Sequence, residues 1–143
     1  MPALRIALVA DIHHGKDSFT KKGTAALLLM ADFARFVAEA RPDLVIDLGA
    51  RISDEDRETD LVLEREVAAA FRPIAVPVQH LCGNHDRDHL SVADNEAVLG
   101  QALDSRTLDT KPRITTGGST PVAAGSGRWR IRISITSMGS MRP

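Results

Sequence analysis

The chain has 143 residues and a formal net charge of -1, with 43% hydrophobic and 26% charged residues. This length suits one domain with one hydrophobic core, and the composition excludes an intrinsically disordered chain. No apolar run approaches the roughly 20 residues that a membrane-spanning helix needs. The single cysteine, Cys82, excludes an internal disulfide, so we expect a chain without a membrane anchor that works in the reducing cytoplasm.

Charge is distributed unevenly along the chain. Residues 1–110 carry all 19 acidic residues and 12 of the 18 basic ones, whereas residues 111–143 carry 6 basic residues and no acidic one. The second segment begins with a stretch rich in Gly, Ser, Thr and Pro, which is typical of a loop. We therefore predict an acidic core over 1–110, followed by a loop and a C-terminal strand over 111–143. This second segment is either part of the same domain or loosely attached to it.

Strands and helices are predicted to alternate over the first hundred residues. Short apolar runs bounded by polar residues are typical of strands in a parallel sheet, and apolar residues at helical spacing indicate helices between them. The predicted strands are Leu4–Ala10, Asp43–Leu48 and Ile74–Cys82, and the predicted helices span about Thr20–Arg41, Ser53–Phe71 and Ser91–Leu99. This order predicts an α/β fold built from βαβ units, with the first strand buried on both faces.

The end of the chain has a different pattern. Trp129, Ile131, Ile133 and Ile135 alternate with polar residues, which predicts an edge or half-exposed strand. A tryptophan among arginines is also compatible with a contact to single-stranded nucleic acid. Because an unpaired strand edge invites pairing with another chain, a homodimer is a further expectation.

Two short polar motifs follow predicted strands. Asp11 and His13, in the string DIH, come after the first strand, and the string GNHD, Gly83 to Asp86, comes after the third. Carboxylate oxygens and imidazole nitrogens suit cations such as Mn, Fe, Zn or Co, and Asn84 offers an amide oxygen. The carboxyl ends of parallel strands meet at one edge of a sheet. Taken by themselves, these motifs indicate either a metal site at that edge or ordinary polar residues of solvated loops.

The order of three motifs resembles that of the calcineurin-like metallophosphoesterases. DIH follows the first strand, the glycine-centred turn DLGAR (Asp47 to Arg51) follows the second, and GNHD follows the third, within about residues 4–100. The resemblance implies a layered metallophosphoesterase-like sheet, of which this chain holds a part. It further implies two divalent cations, a hydroxide that bridges them and attacks phosphorus, and a phosphate-ester small molecule or a nucleotide as substrate.

The resemblance also implies roles for individual residues. Asp11 and His13 would bind one cation, and Asn84 would bind the second. His85 would contact the phosphate or protonate the leaving oxygen. Asp86 would orient His85.

The chain departs from the family pattern at two places. The family's second motif has an aspartate that bridges both cations, but Ala50 stands at that position; an engineered substitution and a natural loss would both produce this pattern. No histidine follows His89, so the family's later histidine motifs are absent from the sequence. We therefore expect a metal-dependent phosphodiester or nucleotide hydrolase with impaired catalysis. The alternative is a non-catalytic binding or scaffolding domain that keeps the phosphoesterase sheet.

Overall fold

The computed structural model describes residues 4–103 and the backbone of residues 132–137. Helices α1 and α3 are separated from the preceding strands by loops that each contain one turn of 3₁₀ helix. In chain order the elements are β1 (Arg5–Ala10), a 3₁₀ turn (Gly23–Ala25), α1 (Ala26–Ala40), β2 (Leu44–Asp47), α2 (Arg57–Phe71), β3 (Val78–His80), a second 3₁₀ turn (His85–Arg87), α3 (Val92–Leu99) and β4 (Arg132–Ser137).

The four strands form one parallel sheet in the order β3-β2-β1-β4. Leu8 of β1 is in register with Ile46 of β2 and with Ile135 of β4. The alternating α/β arrangement and the edge position of the last strand are confirmed. Trp129 and Ile131, which we assigned to that strand, lie outside the described residues. The predicted domain boundary at residue 110 also lies outside them and stays a prediction.

The hydrophobic core lies between one face of the sheet and the helices. Ala7 and Val9 of β1 pack in one cluster with Met30, Phe33 and Val37 of α1. Spacing of three and four residues along α1 places these side chains on one helical face, as the apolar pattern predicts. Val67 and Phe71 of α2 complete the same cluster.

The other face of β1 is only half-buried. Ile6 and Leu8 alternate with the buried Ala7 and Val9 and are partly exposed. The prediction that β1 is buried on both faces is therefore wrong, because α1 and α2 cover the face on which Ala7 and Val9 lie. Side chains along a strand alternate between its two faces, so only every second residue reaches this core.

Helix boundaries differ from the predicted ones for local reasons. Helix α2 begins at Arg57 and not at Ser53, because the Asp56 side chain accepts hydrogen bonds from the Glu58 and Thr59 amides and so caps the helix there. Asp54 has a φ of +46°, which no helix accommodates. A capping box between Ser91 and Asp94 starts α3 at Val92, one residue after the predicted start.

Two further elements are shorter than their sequence patterns indicate. Helix α1 begins at Ala26, after the Gly23–Ala25 turn, and not near Thr20. Strand β3 contains three residues, Val78–His80, because Pro77 before it has no N–H to donate to a neighbouring strand. No helix within the described ranges is long and apolar enough to cross a membrane.

Met30 tests the assignment of the core. Its side chain is 0% exposed, whereas Leu28 on the same helix is 70% exposed. We expect Met30→Ala to lower the free energy of unfolding by about 2–5 kcal/mol through lost burial and a cavity. The control Leu28→Ala should change it by less than about 0.5 kcal/mol. Urea denaturation measures both values, and equal losses would contradict this placement of α1.

Candidate active site at the carboxyl edge of the sheet

The loops that follow β1 and β2 run side by side beyond the ends of the strands. The His13 amide donates to the Ala50 carbonyl at 3.0 Å, and the His14 amide donates to the Arg51 carbonyl at 2.8 Å. The Ser53 amide then donates back to the His14 carbonyl at 2.9 Å. These bonds hold DIH and DLGAR next to each other. We call this edge of the sheet, formed by the loops after β1, β2 and β3, the rim.

Asp86 joins the loop after β3 to the loop after β2. Its carboxylate is completely buried and accepts hydrogen bonds from the amides of Ala50 and Gly83 at 2.8 Å and of Arg51 at 2.6 Å. Bonds to a buried carboxylate are stronger than those between neutral groups. Asp86 therefore fixes the backbone of two loops, and it does not perform its predicted role of orienting His85.

Gly49 allows the same two loops to approach each other. Its φ is +89°, and a Cβ atom at this position would lie 2.1 Å from the backbone nitrogen of Gly83. Only glycine meets both conditions, since other residues rarely adopt this φ and no side chain fits the gap. The glycine of DLGAR is therefore required by the contact between the loops.

Arg51 lies beneath the rim and is completely buried. Its guanidinium group donates to Glu64 at 2.6 Å, to Asp47 at 2.8 Å and to Asn95 at 3.1 Å, and it lies 3.4 Å from Asp86. A buried cation with these partners has its hydrogen-bonding groups satisfied and its charge more than balanced. The arginine of DLGAR thus connects β2, α2, α3 and the GNHD loop.

The carboxyl group of Glu64 in this buried cluster has a raised pKa. Burial raises its pKa to about 7, although Arg51 opposes the shift. Its Oε2 atom is buried without a hydrogen-bond partner in the described structure. Arg51 already faces the two carboxylates of Asp47 and Asp86, so a third negative charge is not needed to balance it. Glu64 is therefore partly protonated near neutral pH, whereas an ordinary glutamate is ionised there.

Helix α2 buries charged residues as well as apolar ones. Val62, although apolar, is 47% exposed. Asp60 and Glu64 face inward and are completely buried. The charged part of the helix therefore packs beneath the rim, and its apolar part, Val67 and Phe71, packs in the core.

The residues of the first motif converge at the rim. An oxygen of Asp11 lies 3.6 Å from Nε2 of His13, and both residues have positive φ values, +57° and +48°. The His13 ring lies edge-on to the His85 ring, with 4.8 Å between their centroids. Burial, followed by the nearby Lys21 charge, lowers the pKa of His13. The neutral imidazole, which is the form that binds a metal ion, is therefore favoured.

His85 is held by two residues that lie outside the three motifs. Nδ1 of His85 lies 2.6 Å from an oxygen of Asp54, and Nε2 lies 3.2 Å from Nζ of Lys21. Asp54 therefore has the orienting role that we predicted for Asp86. Both residues fell within predicted helices, so no local pattern distinguished them. Only the folded arrangement of the loops brings them to His85.

Candidate metal ligands at the rim form two groups. Asp11 and His13 offer an oxygen and a nitrogen toward a common point, and Asn84 is exposed beside His85. The buried methyl group of Ala50 offers no ligand atom between these positions. Ligand atoms of Asp54, His85 and Asp88 also lie within 4.8 Å of one another and form a further group that could hold a cation.

Comparisons with known proteins concern the family and the fold. The sequence matches the calcineurin-like phosphoesterase family over residues 4–133. Among solved structures, the chain is similar to a dimetal phosphatase from Danio rerio, with 20% sequence identity and a TM-score of 0.55. The match covers 64% of this chain and 32% of that chain, so this chain spans about a third of the solved structure's length. No curated protein sequence gave a significant match. At this identity, the structural likeness shows the fold.

Asp86→Asn tests whether the Asp86 carboxylate holds the two loops together through its hydrogen bonds. An amide group in place of the carboxylate would turn an N–H toward at least one backbone N–H, so we expect a loss of roughly 2–4 kcal/mol in the free energy of unfolding. Asp88→Asn is the matched control, because Asp88 is exposed two residues away. Chemical denaturation at pH 7 distinguishes the two variants. Equal stability of both would show that Asp86 does not join the loops.

Glu64 predicts a pH dependence of stability. Its pKa in the folded chain, about 7, is above the ordinary value of 4.5, so the folded state binds the additional proton between these values. This stabilisation is fully present below pH 4.5 and is lost as the pH rises through 7. We expect Glu64→Gln to match the starting protein near pH 5 and to exceed it near pH 8 by on the order of 1–3 kcal/mol.

Denaturation curves at several pH values measure this difference. The control is Glu39→Gln on the exposed side of α1, which should show no such dependence on pH. A constant offset between Glu64→Gln and the starting protein from pH 5 to pH 8 would contradict the assignment of a buried proton to Glu64.

Proposed function

The chain belongs to the calcineurin-like phosphoesterase family, and we propose that it is a metal-dependent phosphoesterase domain for phosphodiesters or nucleotides, with catalysis weakened by Ala50. The observation that carries the proposal is the meeting of DIH and GNHD at the rim, where the His13 and His85 rings are in contact. Parallel α/β sheets commonly bind ligands at this edge.

Three residues of this chain would bind metal ions. Asp11 and His13 would hold one divalent cation, and the amide oxygen of Asn84 would contribute to a second, weaker site. A bound divalent cation supplies Lewis-acid polarisation of a phosphoryl oxygen and lowers the pKa of a coordinated water. We infer that the cation is Mn, Fe, Zn or Co, because these metals suit a mixed set of oxygen and nitrogen ligands.

His85 would lie beside the phosphoryl group, with Asp54 on the far side of its ring. The Asp54 carboxylate, 2.6 Å from Nδ1, assigns the ring proton to that nitrogen and holds the ring in one orientation. Nε2 then points toward Lys21 at the rim. A ring held in this way needs little reorganisation when a substrate binds, which favours catalysis by positioning.

Ala50 is the residue that limits this site. Two cations a few ångströms apart repel each other strongly, and a carboxylate between them reduces the repulsion. Ala50 has a φ of +57°, a region that aspartate and asparagine enter more readily than alanine. The turn therefore keeps a backbone suited to aspartate while lacking its charge. This combination favours a single replacement in an otherwise intact motif.

Ala50→Asp tests the proposal. We expect it to tighten binding of Mn by roughly tenfold or more, equal to about 1.4 kcal/mol per factor of ten. Hydrolysis of bis(4-nitrophenyl) phosphate should rise with it. Calorimetry measures the metal affinity, and release of 4-nitrophenol measures the activity.

Ala50→Asn is the matched control, because asparagine also tolerates the left-handed backbone but adds no charge. It should gain little metal affinity. If Ala50→Asp bound Mn no better than Ala50→Asn and hydrolysed no phosphate ester, the alternative of a non-catalytic binding module would be favoured. The cytoplasmic location, the homodimer and the nucleic-acid contact stay predictions.

A further inference from the structure

Lys21 is at the rim but belongs to none of the three motifs. Its side chain is half-buried, and its ammonium nitrogen lies 3.2 Å from Nε2 of His85. Since the carboxylate of Asp54 is the acceptor at the other ring nitrogen, Nε2 accepts a hydrogen bond from the ammonium group. Lys21, His85 and Asp54 thus form one row of hydrogen bonds along the rim.

The loop that carries Lys21 is anchored at both ends. Gly23 packs so closely on the backbone of His13 and Gly15 that a Cβ atom would lie 2.6 Å from either carbonyl oxygen. Asp17 accepts hydrogen bonds from the amide and hydroxyl groups of Thr24, at 3.1 and 2.9 Å. These contacts hold the backbone on both sides of Lys21 in place.

The partners of Lys21 differ from those of the neighbouring lysines. Lys16 has a carboxylate oxygen of Glu55 at 3.8 Å, and Lys22 has one of Asp17 at 3.7 Å. Within residues 4–103, Lys21 forms no salt bridge, and its partner is the neutral nitrogen of His85. An ammonium group has three N–H donors. One is used by His85, and the contacts within residues 4–103 leave two donors and the positive charge for an anion.

We propose that Lys21 is a substrate-binding residue whose ammonium group, held by His85, contacts the phosphoryl group of the substrate. This inference rests on the proposed function and adds to it a fixed positive charge that does not depend on a metal ion. Lys21 would supply part of the charge that the weakened metal site lacks. A phosphate monoester, which carries two negative charges, would gain more from this contact than a diester, which carries one.

The role of Lys21 predicts opposite effects on cations and anions. Removing a positive charge from the rim should strengthen the binding of a cation there and weaken the binding of an anion. A lysine with a purely structural role would weaken both when replaced. The sign of the two changes therefore separates the roles, and neither measurement requires catalysis.

The experiment compares four chains: the starting protein, Lys21→Met, Lys21→Arg and Lys22→Met. Binding of inorganic phosphate to the metal-free chains is measured by phosphorus NMR, and binding of Mn alone is measured by calorimetry. We expect the starting protein to bind phosphate with a dissociation constant of about 1–10 mM. Lys21→Met should bind phosphate roughly fivefold or more weakly, and it should bind Mn roughly two- to fivefold more tightly.

The controls separate charge from position. Lys21→Arg keeps the charge and should stay within about twofold of the starting protein in both assays, and Lys22→Met, which removes an exposed lysine next to it, should do the same. The inference is overturned if the metal-free starting protein binds no phosphate in this range, or if Lys21→Met binds it as tightly. Failure of the proposed function has another signature, namely absence of Mn binding and hydrolysis in Ala50→Asp while the phosphate result stands.

Discussion

The rim depends on one buried ionic interaction. Arg51 and Asp86 carry opposite charges beneath the loops, and between them they contact β2, α2, α3 and three backbone amides of the rim. Burying charges is costly unless each is paired and hydrogen-bonded, so the loops have little freedom to rearrange without leaving a charge unpaired. The positions of Asp11, His13 and His85 follow from this constraint, because their loops are attached to the same backbone.

The rim lacks one carboxylate of the family pattern but keeps other charged groups. Ala50 stands where the family pattern has a carboxylate. The carboxylate of Asp54 is present and forms a hydrogen bond with His85. Lys21 adds a positive charge without a carboxylate partner among the described residues. Under the proposed function, the residues that would contact a phosphoryl group are therefore more complete than the ligands for two cations. Positioning and metal binding can accordingly be examined separately in this chain.

Much of the fold was predictable because local patterns reflect burial. Apolar residues at helical spacing predicted all three helices, and Met30 and Val37 of α1 do lie in the core. Element ends were less predictable, since they depend on particular backbone conformations. The positive φ of Asp54 and the cap formed by Asp56 move the start of α2, and neither is visible in the hydrophobic pattern.

The sequence by itself determined the order of strands and helices, the three motifs and the absence of a carboxylate at position 50, because these follow from residue type and spacing along the chain. Tertiary structure alone decided that Asp86 binds backbone amides of two loops. It also decided that Asp54 and Lys21 are the hydrogen-bond partners of the His85 ring. The physical reason is distance along the chain. Lys21 and Asp54 are 64 and 31 residues away from His85, and the hydrogen bonds between them form only after parallel strands have brought their loops to one edge.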